Sequence, residues 1–186
     1  MGSQGSQLAQ QVAASLGWRW VSRDLINQAA LSAGVPQVAL AEIDELGLFG
    51  LHPSTKERRA YLRQIKTVIK DLAEQGNVVI VGRGGQVILQ DRPDVFHARI
   101  VAPLESRVTW FQQEKNISAE AARACLIESD RVRARYLKQN FGIQVNDPNL
   151  YHVIINTGFL GLTQAVTLVV QSYQNWLSAK SNDSPA

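Results

Sequence analysis

The sequence predicts an α/β fold, a parallel sheet covered by helices. Three observations carry this expectation. VVIVG (Val78 to Gly82) is short, β-branched and uniformly apolar, the composition of a strand buried on both faces. Segments with apolar residues at helical spacing separate the strand candidates. No hairpin dipeptide joins one candidate to the next, so right-handed βαβ crossovers are the expected connections.

The elements follow in order. From Gln7 to Leu16, Leu8, Ala9, Val12, Ala13 and Leu16 share one helix face, and Gly17 stops it. WRWV (Trp18 to Val21) is a short strand candidate, and Ser22 can cap the helical stretch after it. Gly34, Pro36, Gly47, Gly50 and Pro53 break the next region into short helices and loop around AEIDEL, the part expected to move. From Glu57 to Gln75, Leu62, Ile65, Ile69 and Leu72 recur at helical spacing, with Lys66, Lys70, Asp71 and Glu74 opposite. VFHARIVA (Val95 to Ala102) and YHVIIN (Tyr151 to Asn156) are further strand candidates flanking a basic helical stretch. Leu162, Ala165, Val166, Val169, Tyr173, Trp176 and Leu177 mark a final amphipathic helix.

At 186 residues the chain can bury a sizeable core, and 45% hydrophobic with 19% charged residues is an ordinary globular composition. It has no run of about eighteen apolar residues and no apolar stretch of a secretory signal at its start, so a soluble cytoplasmic protein without a membrane partner is expected. Cys125 alone forms neither an internal disulfide nor a metal cluster. Formal charge is only +3, yet the basic residues are 13 Arg against 6 Lys. Guanidinium groups grip phosphate oxygens in a bidentate fork, so the bias points to a phosphorylated ligand; surface salt bridges explain the same excess.

In an open parallel sheet, ligands bind beyond the carboxyl ends of the strands. Three loops there carry candidates. In the opening turn, Gly2, Ser3, Gly5 and Ser6 offer backbone N–H groups to an anion at a positive helix end, although no lysine completes the phosphate-loop pattern and a plain helix start uses the same residues. In GRGG, Gly82, Gly84 and Gly85 permit close backbone approach and Arg83 is placed to reach the crevice, or to sit on the surface of a tight turn. In the basic stretch, Arg107 opens a helix just after a strand, while Asp130 and Arg133 lie one turn apart among Arg123, Arg131, Arg135 and Lys138. Such spacing makes either a solvated, salt-bridged face or a lid whose arginines close over phosphates. His52, His97 and His152 show no metal-ligand spacing, and the last two are expected as core or rim residues.

Taken in order, GSQGSQLAQQVAASLGW, VVIVGRGG, IVAPLESRV, IESDRVRARY and DPNLYHVIINT resemble the cytidylate kinase-like family, a branch of the P-loop nucleoside monophosphate kinases, over almost the whole chain. The resemblance implies a three-layer P-loop NTPase-like sheet of order 2-3-1-4-5 with helices on both faces. Strand 1 would lie ahead of Met1, central between VVIVG and FHARIVA. It also implies a single domain over residues 1–178, with an insert at about 33–56, a helical lid at about 104–140, and a disordered tail over 179–186.

The implied activity is transfer of the ATP γ-phosphoryl group to CMP or a similar small acceptor, with Mg2+. Gly2, Ser3, Gly5 and Ser6 would hold ATP, Ser6 touching the metal; Arg83, Arg107 and Arg131 would be catalytic. Asp130 and Arg133, as the family's D-x-x-R pair, would recognise the base-bearing monophosphate, and Arg58 its phosphate. Gly5 stands at the lysine position of a phosphate loop, Gln4 replaces a glycine, and Ser6 replaces the arginine common in this branch. Those departures keep a second expectation open, a non-catalytic nucleotide-binding or regulatory relative. A third, nucleic-acid binding through the 123–138 helix, is disfavoured by the interleaved Glu128 and Asp130.

Overall fold

The computed structural model describes residues 1–34 and 54–182; the AEIDEL segment, most of the expected insert and His52 lie outside the described residues. Helix α1 (Gly5–Leu16) buries Leu8, Ala9, Val12 and Ala13 and ends on Gly17, whose φ of 68° suits glycine. Strand β1 (Arg19–Val21) leads to α2 (Arg23–Ser32), capped by the Ser22 hydroxyl, which accepts from the Leu25 N–H at 3.4 Å. Helix α3 (Thr55–Gln75) starts two residues before the apolar periodicity. A capping box sets that start: the Ser54 hydroxyl accepts from the Glu57 N–H at 3.3 Å, and the Glu57 carboxylate accepts from the Ser54 N–H at 2.7 Å.

Strand β2 (Val78–Ile80) runs into a short helix, α4 (Gly85–Ile88), and β3 (Ala98–Val101) into α5 (Leu104–Lys115). Helix α6 (Ala119–Phe141), a 3-10 turn (Pro148–Leu150), β4 (Val153–Asn156) and α7 (Leu162–Asn182) complete the order. Residues 179–182, expected as frayed tail, are the last turn of α7: the Lys180 ammonium sits 4.5 Å from the Trp176 ring centroid and donates to the Pro93 carbonyl.

β1 pairs with β2 in parallel, Arg19 opposite Val78 through Val21 opposite Ile80. β3 pairs with β4 in parallel, Ala98 opposite Val153 through Val101 opposite Asn156. These are the two outer pairs of the expected order; among the described residues no ladder joins β2 to β3. The bonds Arg19 N–H to Asn77 O and Val81 N–H to Val21 O turn alternate groups of β2 toward β1, so those of Val78 and Ile80 face the other way. By the same alternation, the Val153 N–H to His97 O and Thr157 N–H to Val101 O bonds leave the groups of Ala98 and Ile100 facing away from β4.

Side chains do what the ladder does not. Leu8 and Val12 of α1 pack in one cluster with Val79 of β2, Ile100 of β3, Ile155 of β4 and Ala165, Val166 and Val169 of α7. Val21 and Ile80 instead join Ile26 and Ala30 of α2, Tyr61, Ile65 and Ile69 of α3, and Tyr136 and Leu137 of α6. Consecutive residues Val79 and Ile80 thus feed cores on opposite faces, which makes three layers. A third cluster, Val108 and Phe111 with Ala122 and Leu126, fixes α5 on α6 and receives Met1.

At the amino ends of β3 and β4, His152 stacks on Phe96 at 5.1 Å and on His97 at 5.5 Å, with Trp176 edge-on at 5.3 Å. The His97 N–H donates to His152 Nδ1 at 2.9 Å. Burial holds both imidazoles below their ordinary pKa, helped at His97 by the charge of His152 and at His152 by that of Lys180. The folded state therefore resists protonation while the unfolded chain accepts it near pH 6.5, so stability is full above that pH and declines as pH falls through it. The urea midpoint is expected to be lower at pH 5.5 than at pH 7.5, and His152→Phe to shrink the difference; equal wild-type midpoints would contradict this.

The turn after β2 takes three successive left-handed residues, Gly82 at φ 91°, Arg83 at 56° and Gly84 at 77°. A Cβ on Gly84 would lie 2.8 Å from Phe141 Cε2, so α6 closes directly on this turn. Gly84→Ala is expected to cost about 1–3 kcal/mol in denaturant unfolding, more than Gly17→Ala. At Gly17, φ is also positive but the space is open. Equal losses at the two sites would show that the Phe141 contact is not what excludes a side chain.

Candidate functional site

The candidate residues gather at the carboxyl ends of the strands, where a parallel sheet presents its loops. In the opening turn Gly2 (φ 78°) and Gln4 (φ 56°) are left-handed, and α1 begins at Gly5 without a side-chain cap. The turn is anchored. The Thr157 hydroxyl lies 2.9 Å from Ser3 O and 3.2 Å from Val101 O, tying it to the ends of β3 and β4. A Cβ on Gly2 would stand 2.9 Å from Arg107 Cβ and 3.2 Å from Arg107 O, so only glycine lets the chain pass this close to α5. Ser6 is exposed in the first turn of α1.

Arg107, in the first turn of α5, has a side chain 13% exposed and links this turn to α6. It donates to Met1 O at 3.3 Å and to Asp130 Oδ2 at 2.7 Å. Arg133 donates to Asp130 Oδ1 at 3.1 Å and to the Ser129 hydroxyl at 3.3 Å. Burial raises the pKa of Asp130, but the Arg107 hydrogen bond and the charges of Arg107, Arg133 and the terminal amine outweigh it, holding the carboxyl below its ordinary value. The Arg107 Nε–H is buried with no hydrogen-bond partner, a cationic donor suited to an anion.

A second cluster forms around Arg83, 8% exposed. Tyr136 donates to Arg83 O at 3.4 Å, and the fully buried Tyr61 donates to Asn27 Oδ1 at 3.2 Å. Burial pushes the Tyr61 phenol up to about 12 and raises that of Tyr136, against the opposing charge of Arg83. Arg58 is half-buried on α3, three residues before Tyr61 and so on the same helix face. Helix α6 carries both clusters, since Asp130 and Tyr136 are six residues apart, on the order of 9 Å along the axis.

Other candidates lie elsewhere. Arg131 pairs with Glu128 (Nε to Oε2 2.9 Å) with its side chain 64% exposed. Arg123 makes a two-pronged pair with Glu105 at 2.5 and 2.6 Å. With Arg133 on Asp130, much of the basic face of α6 is neutralised internally. Among the described residues no group of three His, Cys, Asp or Glu is placed to hold a metal, and no helix is long and apolar enough to cross a membrane.

Sequence reasoning passed over Arg23, Asn27, Tyr61, Tyr136 and Thr157. Tyr61 and Tyr136 lie inside helical stretches, and nothing in the sequence reports their hydroxyl partners. Arg23 carried a signal, since it directly follows the β1–Ser22 junction, but its neighbour Gly82 emerges only from strand register.

The profile of the cytidylate kinase-like family matches residues 1–158. A cytidylate kinase of Pyrococcus horikoshii is 31% identical over 84% of this chain and 75% of its own length, and one of Sulfurisphaera tokodaii is 24% identical over 81% and 83%. A uronate isomerase of Corynebacterium glutamicum is 28% identical over 82% of this chain, which spans only 29% of that longer protein. In fold, an uncharacterized protein from Eubacterium ventriosum superposes with a TM-score of 0.74 at 17% identity, covering 94% of this chain and 93% of the other. A match over residues 1–158 takes in the opening turn, the Arg83 turn and the Arg107–Asp130–Arg133 cluster, and the chain belongs to the cytidylate kinase-like family.

Proposed function

We propose that the chain is a nucleoside monophosphate kinase, transferring the γ-phosphoryl group of ATP to CMP or a similar small acceptor. The observation that supports this best is Arg107, a part-buried guanidinium whose buried Nε–H has no hydrogen-bond partner, pressed against the glycine turn and hydrogen-bonded to Asp130.

Phosphates of ATP meet backbone N–H groups of the opening turn at Gly2 and Ser3 and of the first turn of α1 at Gly5 and Ser6. The donor set fits magnesium that arrives with the nucleotide: the exposed Ser6 hydroxyl offers one oxygen, and phosphates and water offer the rest. When bound, that ion neutralises phosphate charge. Asp130, held ionised, accepts hydrogen bonds from the acceptor's base, with Arg133 beside it, while Arg83 and Arg58 face its phosphate. An acceptor phosphate oxygen attacks the γ-phosphorus as the bond to ADP breaks, and Arg107 and Arg83 stabilise the charge on the transferring group. Arg131 joins them only by leaving Glu128.

A second reading, a nucleotide binder without turnover, draws on the absence of any lysine or arginine in the first turn of α1. A coupled assay of ADP formation with CMP, ATP and magnesium, run beside calorimetry, separates the two. Turnover supports the kinase, binding of CMP and ATP without turnover supports the second reading, and absence of both ends each of them.

Within an active protein, Arg107→Met is expected to lower kcat by about three powers of ten or more, and Arg131→Gln by less than about threefold. Asp130→Asn is expected to raise KM for CMP more than KM for ATP, measured in the same assay. Equal loss from Arg107→Met and Arg131→Gln would remove Arg107 from its role.

A further inference from the structure

Thr157 directly follows β4, and its hydroxyl lies between two carbonyls, 2.9 Å from Ser3 O and 3.2 Å from Val101 O. A hydroxyl has one hydrogen to give. Val101 O already accepts the Thr157 N–H at 2.9 Å, whereas Ser3 O has no other donor among the described residues, so the hydroxyl hydrogen goes to Ser3 O. The loop that carries Thr157 is itself fixed. The Phe159 and Leu160 N–H groups donate to Asn156 O at 3.3 Å, the Gly158 N–H donates to Asn156 Oδ1 at 3.0 Å, and Gly158 passes Pro103 where a Cβ has no room. The Ser3–Gln4 peptide is trans, so its C=O and N–H point opposite ways. With Ser3 O drawn to the end of β4, the Gln4 N–H points away from the strands. The change of hand from Gln4 (φ 56°) to the helical Gly5 gathers successive N–H groups on one side. Helix bonding begins with the Leu8 N–H on Gln4 O at 2.9 Å, so the N–H groups of Gln4, Gly5 and Ser6 have no acceptor among the described residues.

We propose that Thr157 is a positioning residue for the donor phosphates: by holding the Ser3–Gln4 peptide in one orientation, it aims the Gln4 N–H at the phosphates of ATP. This rests on the kinase reading and deepens it. Thr157 touches no substrate and acts only through the Ser3 carbonyl. Without the hydroxyl, Val101 O keeps its backbone donor and Ser3 O loses its own. The peptide plane is then free to rotate, and rotation exchanges the N–H for a carbonyl oxygen, which repels phosphate. The acceptor's side of the site, at Arg83 and along α6, shares no hydrogen bond with this peptide, so the effect falls on the donor alone.

Calorimetry and the coupled assay on the full chain, comparing wild type with Thr157→Val and Thr157→Ser, test this with ATP, inorganic triphosphate and CMP as probes. Thr157→Val is expected to weaken ATP and triphosphate about three- to tenfold and to raise KM for ATP in step, while CMP changes by less than about twofold. Thr157→Ser, which keeps the hydroxyl, is expected to stay within about twofold of wild type for all three. A purely structural residue lowers kcat and leaves both KM values alone. That result, unchanged triphosphate affinity, or equal weakening of ATP and CMP overturns the assignment. If wild type binds triphosphate but does not turn over CMP, the kinase reading fails by itself, and the triphosphate comparison still decides the role of Thr157. If wild type binds neither ATP nor triphosphate, both fall. Should Thr157→Val not fold, the amide proton resonance of Gln4 in wild type decides: a downfield shift on adding triphosphate supports the assignment, and no shift overturns it.

Discussion

Leu8 and Val12 reach Val79 of β2 on one strand pair and Ile100 and Ile155 of β3 and β4 on the other, and among the described residues no backbone ladder makes that connection. Burial of two such side chains stabilises by about 1.5–3 kcal/mol each, against about 0.5–1.5 for one ladder hydrogen bond. Apolar packing by one helix thus sets the spacing of the two pairs. It also sets the site, because α1 cannot shift without carrying its own amino end, and the Thr157 hydroxyl pins that end to the carboxyl ends of β3 and β4. The constraint extends to Gly2, which has no room for a Cβ beside Arg107.

Charge is arranged around this frame by the same economy of contacts. Arg107 and Asp130 lie in the part-buried zone, where a lone charge costs several kcal/mol and a hydrogen-bonded pair recovers most of it. Asp130 takes two arginines, so its ionised form survives burial, and Arg107 keeps one donor without a protein acceptor. On the outer surface, Arg131–Glu128 within α6 and Arg123–Glu105 between α6 and α5 are exposed pairs worth about 0–1 kcal/mol each. Identical residue types at similar spacing therefore do different work, and burial decides which.

That distinction explains what the sequence disclosed. Helical faces were legible because burial alone selects them: Ile65 and Ile69 sit at zero exposure where their spacing put them. Parallel pairing was legible from VVIVG, yet the ladder stops at Ile80, since β1 has only three residues to offer and Gly82 and Arg83 have already turned left-handed. Arg107 and Arg131 were indistinguishable as letters. One packs under the amino terminus and the other beside Glu128 in solvent, a difference set by which face of α6 meets α5. Tyr61 was read only as part of a helix, because its position in a buried face hides the hydroxyl that bonds Asn27 on another element.

The two clusters on α6 also bear on the proposed separation of phosphate donor and acceptor. Tyr136 and Phe141 fix the carboxyl half of α6 to the Arg83 turn through a hydrogen bond and a contact that excludes a side chain at Gly84. Its amino half packs on α5 through Ala122 and Leu126, and Asp130 adds a charged tie to Arg107, which also reaches Met1 O, interactions that phosphates compete for directly. Both halves of the helix are thus held by packing, and the middle alone adds a charged link to the opening turn. In the proposed kinase, a ligand bringing negative charge to Arg107 would compete with Asp130 for that guanidinium, which would couple arrival of ATP to the proposed base site.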